Sequence, residues 1–163
     1  MTERLWAPWR MEYIESAKDE PSGGAQCFLC TKPGEGDDER ALILARANAA
    51  YVVLNAYPYN PGHVMVAPFR HVSELETLTD AELMDSSHLL QATVRVLKVA
   101  MAPHGFNAGL NLGRVAGAGV PGHLHWHVVP RWNGDTNFMP VLGEVRVLPE
   151  SLAQTYAKLK PLF

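Results

Sequence analysis

The sequence predicts an α+β fold with a mostly antiparallel sheet. Two observations lead to this prediction: five short strand-like segments are separated by turn residues, and one long segment has apolar residues at helical spacing. The five predicted strands cover residues 41–45, 51–55, 63–67, 106–112 and 122–130. The turn between the second and third strands contains Pro58, Pro61 and Gly62, residues that favour tight turns.

The long helix is predicted to begin after Thr79, because Thr79 and Glu82 form a Thr-x-x-Glu capping box. Leu83, Leu90, Val94, Leu97 and Met101 then recur at helical spacing. Pro103 and Gly105 predict its end. A second, short helix is predicted over residues 150–159.

The length of 163 residues predicts one domain over residues 1–163, with an N-terminal extension over 1–26 and a core over 27–163. The extension contains the segment Trp6-Ala7-Pro8-Trp9-Arg10. A net charge of −3 argues against a dedicated nucleic-acid partner. We expect no membrane association, because we find neither a spanning apolar stretch nor a signal-peptide pattern. The chain has two cysteines, a count that favours a cytoplasmic location over a secreted disulfide framework.

The most informative segment is the last predicted strand, residues 122–130. Side chains alternate between the two faces of a strand, so one face would carry only imidazoles and the other only apolar groups. The imidazoles are His123, His125 and His127, and the apolar groups are Leu124, Trp126 and Val128. This pattern predicts a functional site, although a solvent-exposed strand face or a histidine-rich metal tract would share it.

Glycines at 113, 117, 119 and 122 precede the last histidines, and backbone amides in such a loop can bind an anion. Imidazoles next to such a loop would form a site in which a bound phosphate group undergoes nucleophilic attack. A neutral imidazole can attack phosphorus and form a covalent nucleotidyl-histidine. Asn55 and His63 have structural alternatives, as the end of a strand and as a core residue. The four tryptophans are predicted to lie in the core or in a lid.

Cys27 and Cys30 are separated by two residues, a spacing that zinc sites use because two thiolates in one turn reach one metal. A redox pair or two ordinary cysteines are the alternatives. Two further ligands would be needed, and histidines are the available donors.

The segment from His123 to Val129 resembles the signature of the histidine triad (HIT) family, three histidines separated by single apolar residues. Residues 55–66 and 106–113 are similar to two further segments of that family. Residues 5–14 and 129–132 resemble its bacterial diadenosine tetraphosphate phosphorylase branch. The resemblance implies a small α+β domain with a five-stranded sheet, which is usually a homodimer.

The resemblance also implies residue roles. His125 would be the nucleophile and His127 a phosphate contact. The implied substrate-binding residues are Asn55 at the ribose, His63 behind the catalytic strand, and Asn111, with Gly119 in the predicted phosphate loop. Relatives with two such cysteines bind structural zinc through positions that correspond here to Cys27, Cys30, His71 and His123.

The implied function is cleavage of dinucleoside polyphosphates, such as diadenosine tetraphosphate, through a nucleotidyl-histidine. Inorganic phosphate as acceptor would make the protein a phosphorylase, which the branch resemblance favours. Water as acceptor would make it a hydrolase of dinucleoside polyphosphates or nucleoside phosphoramidates. A non-catalytic nucleotide-binding module and a metalloenzyme with the triad as zinc ligands are the alternatives from other classes.

Overall fold

The computed structural model describes residues 27–135 and 150–163. In this part of the chain, five strands form one sheet in the order β1-β2-β3-β5-β4, and every neighbouring pair is antiparallel. The strands are β1 Ile43–Arg46, β2 Ala50–Leu54, β3 Val64–Pro68, β4 Gly105–Leu110 and β5 Trp126–Arg131. The predicted α+β class and five-stranded antiparallel sheet are confirmed.

The helices are α1 Phe28–Thr31, α2 Asp38–Ala41, α3 Asp80–Met101 and α4 Leu152–Leu159. The capping box of α3 forms as predicted, with Thr79 accepting from the Glu82 amide and Glu82 accepting from the Thr79 amide. Ala102 ends α3 in the left-handed conformation. Ser151 and Gln154 form a second capping box that starts α4. No helix in residues 27–135 or 150–163 is long and apolar enough to cross a bilayer.

Two predicted strands begin too early. Ala41 ends the short helix α2, because Asp37 accepts a hydrogen bond from the Arg40 amide and starts a helical turn there. Leu42 then takes the left-handed conformation, with φ at 62°. β5 begins at Trp126, because the amide of Leu124 donates to Val72 at 2.6 Å instead of to a neighbouring strand. Only His127 of the three histidines therefore lies within the sheet.

Each face of the sheet has its own packed cluster, and residue alternation assigns each side chain to one face. On one face, α3 and α4 pack against a cluster that includes Val66, Leu97 and Val128. On the other face, the cysteine segment packs against a cluster that includes Tyr51 and Met65. His127 is next to Val128 in β5 and pairs with Met65, so its imidazole lies on the face opposite α3.

The N-terminal extension, with its Trp6–Arg10 segment, lies outside the described residues, as do residues 136–149.

Candidate functional site

Two histidines on neighbouring strands form the first part of the site. His63 precedes β3 and is buried, and its Nε2 lies 2.9 Å from Nδ1 of His127 in β5. The antiparallel pairing of β3 with β5 brings these residues together from positions 64 residues apart. The sequence motif of three histidines therefore has a fourth histidine as its direct neighbour in space.

The hydrogen-bond partners of His63 assign the protons of both rings. The backbone N–H of Tyr59 can only donate, and it donates to Nδ1 of His63 at 3.1 Å. Nδ1 of a neutral His63 is therefore unprotonated, so Nε2 carries the proton and donates to Nδ1 of His127. By the same logic, a neutral His127 carries its own proton on Nε2. Its outer nitrogen is thus a hydrogen-bond donor.

Asn55 completes this arrangement. It follows β2, and its side-chain amide lies 3.3 Å from Nδ1 of His63. Its carbonyl oxygen accepts the amide of Tyr57 at 2.9 Å, which closes the start of the turn between β2 and β3. The structure therefore brings two of the predicted substrate-binding residues, Asn55 and His63, into contact.

His125 has the opposite proton arrangement. Its Nδ1 lies 2.7 Å from the backbone carbonyl oxygen of His123, which can only accept, so Nδ1 carries the proton. The outer nitrogen, Nε2, then has a lone pair. Burial lowers the pKa of His125, and the hydrogen bond to the His123 carbonyl opposes this effect in part. The ring is therefore neutral near pH 7, and its centroid lies 4.8 Å from that of His127.

The glycine loop connects β4 with the histidines. Gly113 and Gly117 have φ values of 78° and 89°, a backbone conformation that glycine adopts without strain. Asn111 donates from its side-chain amide to the Gly117 carbonyl at 3.4 Å, so it contacts the loop directly. Gly119 lies in the same loop, next to buried Val120. Contact between Gly119 and substrate stays a prediction.

Four side chains form a cluster with the donors of a metal site. They are Cys27, Cys30, His71 and His123, and their ligand atoms all lie within 4.8 Å of one another. Nδ1 of His123 is 3.4 Å from the Cys27 sulfur and 3.3 Å from the Cys30 sulfur, and Nδ1 of His71 is 3.3 Å from the Cys30 sulfur. Tetrahedral zinc with two sulfur and two nitrogen ligands has sulfur–nitrogen separations of roughly 3.5 Å. The cluster therefore fits a closed zinc site.

The protonation of this cluster also suits a metal. Nε2 of His123 donates to the Pro68 carbonyl at 2.9 Å, which leaves the Nδ1 lone pair facing the two thiols. Burial lowers the pKa of His123 to about 4, so the ring is neutral. Burial and the neighbouring Cys27 raise the pKa of Cys30, so a bound cation would have to stabilise its thiolate.

No sequence motif predicts the groups that orient these rings and the cysteine turn. Three of them are backbone atoms, the Tyr59 amide and the carbonyls of Pro68 and His123, and no side-chain motif reveals a backbone atom. A fourth is Tyr51, whose hydroxyl donates to the Leu29 carbonyl at 2.6 Å and so holds the turn between the cysteines. Tyr51 lies in an apolar strand, so the sequence alone does not distinguish it from a tyrosine that only packs in the core.

A cavity of about 350 Å³ lies beside the turn that carries His63, on the side of α4. Its described lining includes Leu54, Gly62, His63 and Thr155, but neither His125 nor His127. The described lining therefore includes His63 but neither of the two triad histidines proposed to act on the phosphate.

A family model described as "HIT domain" matches residues 38–134, more than half of the chain. The chain belongs to the HIT domain family. This assignment confirms the resemblance found in the sequence, and the histidine cluster described above lies within the matched residues.

Similar proteins and solved structures agree with the assignment of this chain to the HIT domain family. The chain is 47% identical over 156 residues to the AP-4-A phosphorylase of Mycobacterium tuberculosis (strain ATCC 25618 / H37Rv). The aligned segment covers 94% of this chain and 80% of that protein. It is 37% identical over 93 residues to the asymmetrical bis(5'-nucleosyl)-tetraphosphatase of Schizosaccharomyces pombe, covering 57% of this chain and 50% of that protein. A crystal structure described as a zinc-bound histidine triad family protein from Mycobacterium smegmatis is 22% identical, with a TM-score of 0.66, covering 86% of this chain and 94% of that one. The last similarity establishes the shared fold.

Proposed function

We propose that this domain cleaves dinucleoside polyphosphates such as diadenosine tetraphosphate, by passing a nucleotidyl group through His125 to inorganic phosphate. One observation carries the proposal. His125 and His127 lie side by side with opposite proton arrangements, a lone pair on Nε2 of one and a proton on Nε2 of the other. Nucleophilic attack on a phosphate ester requires a nucleophile, and a hydrogen-bond donor stabilises the negative charge that develops on oxygen.

In the first step, Nε2 of His125 attacks the α-phosphorus. A nitrogen–phosphorus bond forms, and the bond from phosphorus to the bridging oxygen breaks. The longer polyphosphate leaves as an anion, which is reasonable because a phosphate monoester has its second pKa near 6. The positive charge that develops on His125 is shared with the His123 carbonyl, which already accepts its Nδ1 proton. His127 donates a hydrogen bond to the phosphate or the bridging oxygen.

In the second step, an oxygen of inorganic phosphate attacks the same phosphorus and the nitrogen–phosphorus bond breaks. Diadenosine tetraphosphate then yields ATP in the first step and ADP in the second. If water were the acceptor, the second product would be AMP. The experiment is product analysis with and without phosphate. ADP formed only with phosphate supports a phosphorylase, and AMP formed at the same rate in both cases contradicts it.

The similarity to the AP-4-A phosphorylase of M. tuberculosis favours phosphate as the acceptor, because it extends over 94% of this chain. The alternative is a hydrolase of dinucleoside polyphosphates or nucleoside phosphoramidates. The S. pombe relative named as a tetraphosphatase supports that alternative over a shorter segment. The product analysis separates the two.

We assign the remaining site residues to substrate binding. Asn55 would contact the ribose, and its amide is already held beside His63. His63 would support the donor nitrogen of His127. Asn111 holds the glycine loop through Gly117, and Gly119 in that loop would contribute a backbone amide to the phosphates.

Two alternatives from other classes have less support. A nucleotide-binding module without activity has no need of a buried, neutral histidine with an outward lone pair. A metalloenzyme that uses the triad as zinc ligands would need all three imidazoles around one ion. In the part of the chain that the structure describes, His123 is the triad member within the cysteine cluster, and His125 directs its Nδ1 proton to a carbonyl.

We infer that the cluster of Cys27, Cys30, His71 and His123 binds one structural zinc ion. Two thiolates and two imidazoles fill a tetrahedral site, which leaves no position for substrate. When bound, zinc would supply a cross-link between the cysteine turn and His123, which lies two residues before His125. Metal analysis of protein purified without chelator tests this inference: one zinc per chain supports it, and folded protein without zinc contradicts it.

We further propose that the protein is a homodimer in the cytoplasm. β4 is an edge strand of the sheet, and its central residues 107–109 are exposed. Unpaired edge strands are templates for pairing with a second copy. Two cysteines grouped with two histidines, rather than a set of disulfides, favour a reducing compartment. Light scattering on the purified protein distinguishes a dimer from a monomer.

A further inference from the structure

A compact polar network lies at the end of β5. Arg131 donates from Nε and Nη2 to the two carboxylate oxygens of Asp135, at 2.6 and 2.8 Å. The amide of Trp132 donates to the same carboxylate at 3.1 Å. The Asp135 side chain is only 11% exposed, and the Arg131 guanidinium holds its pKa well below the usual range. This carboxylate is therefore a fixed, ionised acceptor.

The same carboxylate also reaches a different part of the chain. The side-chain amide of Asn60 donates to Asp135 at 2.9 Å and to the Pro130 carbonyl at 3.1 Å. Asn60 lies in the turn between β2 and β3, and its own carbonyl accepts the amide of His63 at 3.1 Å. Asp135 thus ties this turn to the end of β5.

The tied turn supplies the group that orients His63. Tyr59 is adjacent to Asn60, and its amide donates to Nδ1 of His63. His63 in turn donates to His127, which is carried by β5, the strand whose end holds the network. The hydrogen bonds from Tyr59 to His63 and from His63 to His127 form a chain, which we call the relay. The contact between Asn60 and Asp135 fixes the two ends of this relay, the Tyr59 turn and β5, relative to each other.

We propose that Asp135 is a positioning residue for nucleotidyl transfer, which acts by holding the Asn60 turn so that the Tyr59 amide selects the Nε2–H form of His63. This inference rests on the proposed function, in which His127 donates from Nε2. When the turn is released, His63 also populates the Nδ1–H form. In that form it no longer donates to His127, and the donor on the outer face of His127 is lost for part of the time.

The first arm of the test compares Asp135→Asn with Asp38→Asn. Asp38 is a matched control, because it accepts from Arg46 and Lys160 in a second ion-pair network away from the histidines. Cleavage of diadenosine tetraphosphate with phosphate present is measured. We expect kcat of Asp135→Asn to fall by between about 10- and 100-fold, the scale of a misplaced catalytic group, with KM within about twofold. Asp38→Asn should keep the wild-type kcat. Equal loss in both variants would overturn the proposal.

The second arm of the test measures the protonation of the His63 ring in the absence of substrate. Long-range proton–nitrogen NMR spectra of histidine-labelled protein report which ring nitrogen carries the proton. In the wild type, we expect His63 as the Nε2–H form, and in Asp135→Asn a mixture of both forms. A pure Nε2–H form in the variant contradicts the proposal. Because this arm needs no turnover, it decides the positioning role even if the proposed reaction is wrong, and that reaction is judged separately by His125→Ala.

A third variant covers the case in which Asp135→Asn does not fold. Asn60→Ala removes the contact with the carboxylate but leaves the Arg131–Asp135 ion pair in place. We expect the same decrease in kcat and the same mixture of His63 forms. Wild-type behaviour of a folded Asn60→Ala would be evidence against the proposal.

Discussion

The backbone carbonyl of His123 accepts the Nδ1 proton of His125 at 2.7 Å, while the imidazole of His123 faces the sulfurs of Cys27 and Cys30. One residue thus joins two sites: its side chain belongs to the candidate metal cluster, and its main chain sets the protonation of the proposed nucleophile. The state of the metal cluster and the orientation of His125 are therefore coupled through a single residue.

The most direct prediction concerns His125. His125→Ala removes the attacking nitrogen, so turnover of diadenosine tetraphosphate should fall by at least about 10³-fold. Affinity for a non-cleavable analogue, measured by calorimetry, should change little, because the ring contributes its lone pair mainly to the reaction. His88→Ala, on the exposed face of α3, is the control and should keep full activity. Substantial turnover by His125→Ala would rule out the covalent mechanism.

The metal cluster can be tested through Cys30. Cys30→Ser should lose bound zinc and lower the melting temperature by at least about 5 °C, equivalent to roughly 2 kcal/mol in a chain of this size. Activity should also fall, because the support of His123 for His125 is weakened. Thr31→Ser alters the next residue of α1, which is exposed, and should change none of these quantities. Metal analysis and thermal unfolding are the measurements. A Cys30→Ser protein with wild-type stability would contradict a structural zinc site.

The start of α3 predicts a pH dependence of stability. Glu82 is buried, accepts from the Thr79 amide and pairs with Arg70, and the Arg70 guanidinium lowers the pKa of Glu82 to about 2. A carboxylate whose pKa is lower in the folded state stabilises the fold fully when the pH is above its pKa in the unfolded chain, near 4.5. This contribution is lost as the pH falls towards the folded-state pKa of about 2.

Glu82→Gln should therefore destabilise the protein at pH 7 by about 1 kcal/mol, the usual contribution of a helix cap. The difference from the wild type should shrink as the pH falls below about 4.5. Urea unfolding at several pH values measures it. Glu76→Gln, at an exposed position just before α3, is the control. A difference that does not change between pH 7 and pH 3 would mean that the charge of Glu82 has no role.

Gly62 tests the turn that carries His63. Its φ is 76°, and an added Cβ would lie 2.6 Å from the Met101 sulfur and 3.3 Å from the Pro130 ring. Gly36 has nearly the same φ, 75°, but an added Cβ there would meet nothing within 4 Å. Both Gly→Ala substitutions introduce strain of about 1–2 kcal/mol from the left-handed conformation.

Only Gly62→Ala also overpacks the core, which should add about 1–3 kcal/mol. It should lower activity as well, since the same turn supplies the Tyr59 amide to His63. Chemical unfolding and turnover of the two variants provide the comparison. Equal stability of the two variants would show that Met101 moves aside at no cost.

Much of the fold was predictable because its signals are local. The capping box of Thr79 and Glu82, and Ala102 before Pro103, set the ends of α3 from contacts within one or two turns. The strands of the sheet follow from runs of apolar residues. The errors occurred where local and distant bonds compete. Residues 41–42 form the end of a helix because of the Asp37 cap, and β5 starts late because Leu124 bonds to Val72.

The candidate site divides in the same way. The candidate reactive and metal-binding side chains were predictable, because three alternating histidines and two cysteines at a fixed spacing are visible along the chain. Which nitrogen of each ring carries a proton depends on contacts between residues that are distant in the sequence or on backbone atoms. The Tyr59 amide and the carbonyls of His123 and Pro68 make that choice, and the sheet brings His63 to His127 across 64 residues. The proton position on a neutral imidazole depends on the nearest hydrogen-bond donor or acceptor in space, and every residue type except proline has the same backbone N–H and carbonyl groups, so residue identity does not predict it.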